Sequence, residues 1–233
     1  MIAVIGRTEQ RPSEEHPMIA VIGGTGKLGQ GLVARLAMAG EEVIIGSRTP
    51  KKAERVAKEL SEKIGEKIKG TGNEEAARQA ELVILSIPFK GMEKILNQIK
   101  PALNPDKIVV SVIVPFSFEE GWAVLSQSKS GSAAEEVASR TPKNVPVIST
   151  FQTASANRMR DLGEPLSADV PVCGDDEDAK NQVIELVEKL PGARAIDAGP
   201  LANSALTEAV GVLLIDLTRR HGVKRIGLKF EGV

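Results

Sequence analysis

The sequence has one cysteine, Cys173, and two histidines, His16 and His221, among its 233 residues. A lone thiol excludes an intrachain disulfide framework, and so few thiol and imidazole groups argue against a structural zinc site. Tyrosine is missing altogether, and one tryptophan and five phenylalanines complete the aromatics. That is too few for a platform on which nucleobases would stack. An excess of one charge is missing too: thirty Lys and Arg face 31 Asp and Glu, a net charge of −1. The balance argues against nucleic acid or an anionic membrane as the main partner, while leaving room for a local basic pocket. No run approaches the roughly 18 apolar residues of a membrane span. The N-terminus has neither the basic region nor the roughly 7–15 apolar residues of a signal peptide. The expectation is a compact, soluble, cytoplasmic protein without a metal site.

What is present is enough apolar residue for a real core, 42% hydrophobic against 26% charged. At roughly 100–200 residues per domain, the length suits one large domain or two small ones. The segment MIAVIG occurs twice, at Met1–Gly6 and Met18–Gly23, and only the second copy runs into a glycine loop. Met18 therefore reads as the functional start, with residues 1–17 as an N-terminal appendage. From there strand and helix signals alternate. Strands are expected at 19–22, 42–45, 67–70, 82–87, 108–114 and 145–149. Helices are expected at 28–39, 50–64, 73–80 and 92–99, with Thr49 and Pro50 opening the second and Asn73 capping the third. Residues 116–144 are less regular, with a polar loop at 126–132 and a helix at 132–139. Beyond lie strands at 170–173 and 193–197 and helices at 177–190 and 203–221. This is an α/β pattern: a Rossmann-type doubly wound parallel sheet at 18–149, and a smaller C-terminal α/β domain at 150–233.

Gly24-Thr25-Gly26-Lys27-Leu28-Gly29 is a G-x-G-x-x-G placed directly after a strand and opening a helix, as the dinucleotide fingerprint requires. The first glycine suits a tight turn, the second a close approach to a pyrophosphate, the third close helix–strand packing. The helix end then holds the phosphates with free N–H groups and a positive dipole. Thr25 offers a hydroxyl and Lys27 a charge. Where an NAD enzyme places a carboxylate for the ribose, this chain has Gly46-Ser47-Arg48. A hydroxyl and a planar guanidinium suit a 2′-phosphate, so the pattern favours NADP. Lys52 follows on the next helical turn.

GGTGKLGQG (23–31), IIGSR (44–48), LSIPF (85–89), VIVPFS (112–117), PVCGDD (171–176) and DAGPLANS (197–204) stand in an order and spacing that resemble the F420-dependent NADP reductases. The resemblance runs from Met18 to the C-terminus. It implies an NADP-binding Rossmann domain, a smaller C-terminal domain, F420 in the cleft between them, and a homodimer or higher homo-oligomer. It implies hydride transfer between the nicotinamide and the deazaflavin, with no catalytic nucleophile. It places Thr25 to Leu28, Ser47, Arg48 and Lys52 at the phosphates, and Ile87, Val114 and Ala156 at the nicotinamide end. Gly91 falls near NADP, and Ile226 beside F420. On the deazaflavin side this chain departs from the family: Gln152, Ala205, Ala209 and Gly211 stand where histidine, arginine, serine and threonine occur. Those departures motivate one alternative, an NADPH-dependent reductase of another acceptor (imine, flavin or metal chelate); a second, a non-catalytic NADP(H)-sensing module, stands because hydride transfer requires no diagnostic side chain.

Other features have plainer readings. Cys173 reads as a buried core thiol, and Asp175 and Asp176 as caps of the helix that follows. Asp197-Ala198-Gly199-Pro200 reads as a turn. Leu206, Val210, Leu213, Leu214 and Leu217 form an apolar helical stripe, core or dimer interface. Trp122 reads as either a loop anchor or an interface residue.

Overall fold

The computed structural model describes residues 17–233. The first MIAVIG copy, His16 and all but the last residue of the expected appendage lie outside the described residues. The strands are β1 (Ile19–Ile22), β2 (Val43–Ser47), β3 (Ile68–Gly72), β4 (Leu82–Leu85), β5 (Ile108–Ser111), β6 (Phe116–Glu119), β7 (Trp122–Leu125), β8 (Val147–Thr150), β9 (Ala168–Gly174) and β10 (Ala193–Asp197). The helices are α1 (Lys27–Met38), α2 (Pro50–Ile64), α3 (Asn73–Gln79), α4 (Met92–Ile99), α5 (Ala133–Arg140), α6 (Ala156–Arg160), α7 (Glu177–Glu188) and α8 (Ser204–Arg220).

Eight strands form one sheet in the order β10-β9-β8-β5-β4-β1-β2-β3. All neighbours are parallel except β8 and β9. Strand β1 shows why the sheet has two covered faces. Its four residues are fully buried, and they alternate between two cores. Ile19 and Val21 join Leu32, Leu36, Val56 and Leu60 of α1 and α2 on one face. Ala20 and Ile22 join Ala76, Leu96 and Val137 of α3, α4 and α5 on the other. A continuous apolar run fits a strand with helices on both sides, where no face meets water. The chain leaves β1 toward β2 and β3 and then returns to place β4 on the other side. The switch point, where such folds bind ligands, therefore lies between β1 and β4.

The expected boundary near Ser149 falls inside β8. The sheet continues across it, with Ser149 paired to Cys173 of β9. Pro50 opens α2 after Thr49, and Gly65 ends it in the left-handed region at φ 80°. Ser132 caps α5, its Oγ accepting from the Glu135 amide at 3.0 Å. Asp176 caps α7 through the Ala179 amide at 2.9 Å, while Asp175 accepts from the Leu201 amide. Cys173 is fully buried, and burial pushes its thiol up to about 11. Gly199 has φ 83° and its amide donates to Asp197, a turn as expected.

Four expectations need correction. Asn73 does not cap α3: Gly72 precedes the helix, and the buried Asn73 amide donates to Gln98 instead. Strands β4 and β5 stop at Leu85 and Ser111, short of the apolar runs that continue beyond them, because those residues turn away to line a cleft. Residues 116–125 form an antiparallel hairpin, β6–β7. Its turn residues Glu120 and Gly121 both have positive φ, 49° and 89°, the pattern of a two-residue type I′ turn. Trp122 begins β7 and is exposed. Finally, the α8 stripe is not core: Leu214 is buried, but Leu206 is 68% and Leu213 55% exposed. The side of α8 facing the protein carries Ser204, Thr207, Glu208 and Gly211. Together with the turn before it, α8 is long and apolar enough to cross a membrane by length and composition alone.

Candidate functional site

The loop after β1 is built for close contact. Its left-handed residue is Gly23, at φ 80°, one position ahead of the motif. The tight turn expected of Gly24 is therefore made by its neighbour. Gly24 serves packing instead: a Cβ there would lie 2.9 Å from the Val21 carbonyl. At Gly29 a Cβ would lie 2.6 Å from the Gly23 carbonyl, so α1 can start this near the strand only without a side chain. Gly26 precedes α1, no side chain caps the helix, and no acidic residue sits in its first turn. The first amides therefore remain open and the positive helix end is uncompensated, the condition for holding a phosphate. Gly26, Lys27 and Leu28 face the adjoining cleft. Thr25 is half-buried in the loop, and its carbonyl accepts from Gln30.

At the end of β2, Ser47 is buried and Arg48 is exposed. The Ser47 oxygen already accepts from the Thr49 amide at 3.2 Å, which leaves its hydrogen free to donate. Lys52 is exposed on the first turn of α2. None of these three lines the cleft; they sit beside it, where the strand ends.

The cleft, about 600 Å³, lies at the C-terminal ends of β1, β4, β5 and β8. Its lining brings together expected residues from distant parts of the chain: Gly26, Lys27, Leu28, Ile87, Val114, Ala156 and Ile226. Gly24, Thr25, Gly29 and Gly91 are not among them. Gly91 is half-buried, and a Cβ there would meet open space. A smaller concavity of about 230 Å³ lies at the other strand ends, beside Met18, Glu41 and Lys67, away from the glycine loop.

The cleft floor is polar and under-satisfied. Gln152 donates through Nε2 to the Ser111 carbonyl and to Ser149 Oγ, both at 2.9 Å. A carbonyl can only accept, so this fixes the amide orientation and leaves Oε1 as a spare acceptor. Gln152 Oε1 and Thr153 Oγ1 are buried without partners. Phe151 before them has φ 64°, a strained value for a bulky residue and typical of ligand clamps. A planar, mostly apolar group with polar edges fits this lining, and a dinucleotide fits the loop beside it. Gly211 of α8 completes the wall, and a Cβ there would lie 2.7 Å from the Gln152 carbonyl. The threonine expected from the family would push α8 away from the floor. Ala209 is exposed and Ala205 half-buried.

Two buried charges hold the walls, and the sequence reading missed both. Arg35 of α1 is 4% exposed. Its guanidinium donates to the carbonyls of Arg158, Met159, Asp161 and Glu164 at 2.6–3.0 Å, which pins α6 and its first residue, Ala156, to the dinucleotide helix. Burial lowers its pKa. Glu208 of α8 accepts from the Ala133 and Ala134 amides at the start of α5, at 2.9 and 3.1 Å. Burial pushes its carboxyl up to about 7, against the pull of those two donors. The signal for both was a lone charge on a helix face of otherwise small or apolar residues. The hairpin was also missed, although Phe116 and Phe118 line the cleft. Its signal was the alternation FSFE and WAVL around Glu120-Gly121.

Residues 18–115 match the family described as NADP oxidoreductase coenzyme F420-dependent. The F420-dependent NADP reductase of Methanocaldococcus jannaschii is 39% identical over 222 residues, covering 92% of this chain and 98% of that protein. The protein of that name from Methanothermobacter marburgensis is 37% identical over 221 residues, again covering 92% and 98%. A crystal structure of a putative F420-dependent NADP-reductase from Arthrobacter sp. FB24 superposes with a TM-score of 0.79 at 26% identity, over 92% of this chain and 99% of that one.

Proposed function

The chain belongs to the F420-dependent NADP reductase family, and from that premise we propose how its cleft works. The protein is an oxidoreductase that transfers a hydride between NADP(H) and F420. The observation that carries the assignment of the site is the cleft itself, set at the switch point with the glycine loop on one side and α8 on the other.

The nicotinamide and deazaflavin rings supply the hydride chemistry when bound; the chain positions them and excludes water. The open amides of the first turn of α1 and the Lys27 side chain take the pyrophosphate. Thr25 contributes its hydroxyl there. Ser47 donates to the 2′-phosphate, Arg48 grips it, and Lys52 adds charge nearby. Ile87, Val114 and Ala156 line the nicotinamide end. Gly91 leaves open space beside the dinucleotide, and Ile226 meets the F420 side. Gln152 Oε1 offers an acceptor to a ring N–H, and Gly211 lets α8 close on that floor. No side chain need form a covalent bond. Residues 150–233 supply the acceptor wall, and residues 18–149 the NADP wall. Cytoplasmic location and assembly as a homodimer or higher homo-oligomer belong to the same proposal. The exposed Leu206 and Leu213 of α8 support assembly.

The test is reduction of F420 by NADPH, followed through the loss of the oxidised deazaflavin band, with NADH as control. Turnover with NADPH and little with NADH is expected. NADPH binding by titration without F420 turnover would sink the acceptor assignment and show that Gln152, Ala205, Ala209 and Gly211 mark a different acceptor.

A further inference from the structure

The lining of the cleft is one-sided in charge. Its lining residues include no carboxylate and two cations, which come from different walls: Lys27 from the first turn of α1 and Arg219 from the last turn of α8. Lys27 adjoins the phosphate loop. Arg219 stands on the far wall, beside the hairpin. Its guanidinium carbon lies 4.6 Å from the ring centroid of Phe118, which meets Phe116 edge-on at 5.4 Å. Asp216, one turn earlier on α8, is engaged by the Ala123 amide at 2.7 Å and belongs to the hairpin contact. Arg220, the last residue of α8, and Lys224 beyond it are exposed, while Arg225 is paired with Asp161. A guanidinium attracted to the face of an aromatic ring still has N–H donors to offer an oxyanion. The NADP phosphates are already provided for by the loop and by the end of β2. A second anion site on the opposite wall therefore belongs to the other substrate.

We propose that Arg219, set over the Phe118 ring at the cleft edge, binds the anionic side chain of F420, the phosphodiester and carboxylate portion beyond the ring. The inference rests on the F420 reading above and deepens it. The ring lies over the polar floor, and the Phe118–Arg219 pair reads the tail. This chain carries Ala205 and Ala209 where the family has arginine and serine, so α8 offers F420 a guanidinium from its last turn instead. Discrimination between F420 and a bare deazaflavin then depends on one exposed guanidinium.

The test titrates two probes into the NADP-loaded protein: F420, and the same deazaflavin ring carrying only its ribityl chain. The proteins are the wild type, Arg219→Ala and Arg219→Lys. For Arg219→Ala the expected result is a loss of about tenfold in F420 affinity, the lower end for a charged hydrogen bond at an exposed site. Affinity for the tail-less ring, KM for NADPH and kcat at saturating F420 stay within about twofold. Added salt weakens F420 binding to the wild type and leaves the Ala variant flat. Arg219→Lys recovers part of the loss. Equal losses for both probes would overturn the tail assignment, as would unchanged F420 affinity. A wild type that binds NADPH but neither probe would overturn the F420 reading itself, visible before any variant is compared.

Discussion

Replacing Arg48 with alanine isolates the 2′-phosphate contact better than any other change at this site. Arg48 is exposed just past β2, so truncation leaves no buried group orphaned and opens no cavity. Surface changes of this kind shift stability by about 0.5 kcal/mol or less, and denaturant midpoints should stay close to the wild type. The whole effect then appears in cofactor binding. A hydrogen bond to a charged group contributes about 1.5–3 kcal/mol, a factor of about 10–150 in Kd. Exposure and screening place Arg48 toward the lower end, so NADPH should bind about 10–30-fold more weakly. Ser47 keeps its free hydrogen in the variant, because its oxygen is occupied by the Thr49 amide. Some preference for NADPH should therefore survive. NADH, which lacks the phosphate, should bind with an unchanged Kd. The assay is calorimetric or fluorescence titration of both nucleotides at two salt concentrations. Equal losses for NADPH and NADH would refute the reasoning, since they would place Arg48 on a part common to both.

Glu208→Gln tests the buried carboxylate. Its folded pKa of about 7 lies above the ordinary 4.5, so the native state holds the proton more tightly than the unfolded chain. Stability should fall as pH rises through that interval, by up to about 3 kcal/mol, and the penalty is complete above it. The Gln variant should lose this slope in urea melts between about pH 5 and about pH 8; an unchanged slope would assign the pH dependence elsewhere. Arg35→Met keeps the buried stem but removes the donors to four carbonyls. It should cost about 3–5 kcal/mol and raise KM for NADPH through a loosened α6, whereas a loss below about 1 kcal/mol would show that water replaces the clamp. Gly211→Ala places a Cβ 2.7 Å from the Gln152 carbonyl. Overpacking there should cost about 1–3 kcal/mol and weaken F420 more than NADPH; equal weakening of both would detach Gly211 from the acceptor wall.

The parts of the fold that could be read in the sequence are those where local chemistry and burial agree. Strand β1, the glycine loop and α1 follow from an apolar run, glycines and helical periodicity, and each residue's neighbours in sequence are also its neighbours in space. The position of Ser47 and Arg48 at the end of β2 was readable because that strand end has a fixed place in such folds. The cleft floor was not. Phe151 to Thr153 carry no local signal for a strained backbone or orphaned polar atoms; both arise from β8, α6 and α8 meeting there. Strands β4 and β5 were read too long for a related reason. Hydrophobicity reports burial, and Ile87 and Val112 are buried beside a ligand site as well as they would be in a ladder. Helix α8 misleads in the opposite sense. Its leucine stripe shows which face avoids water, not which side of the helix the rest of this chain covers. Arg35 and Glu208 show the limit for charged residues: their partners are backbone groups more than 70 residues away, which no periodicity can announce.

The pairing of β8 with β9 joins both halves of the chain in a single hydrogen-bonded sheet beneath the cleft. Rotating one wall against the other would mean breaking ladder bonds in the middle of that sheet. The protein therefore has no seam along which to open and shut like a jaw. The floor of the cleft is settled when the chain folds, much as the spacing of two rails is settled by the ties beneath them. Whatever adjustment a turnover needs is left to the rim, to the β6–β7 hairpin and the last turn of α8.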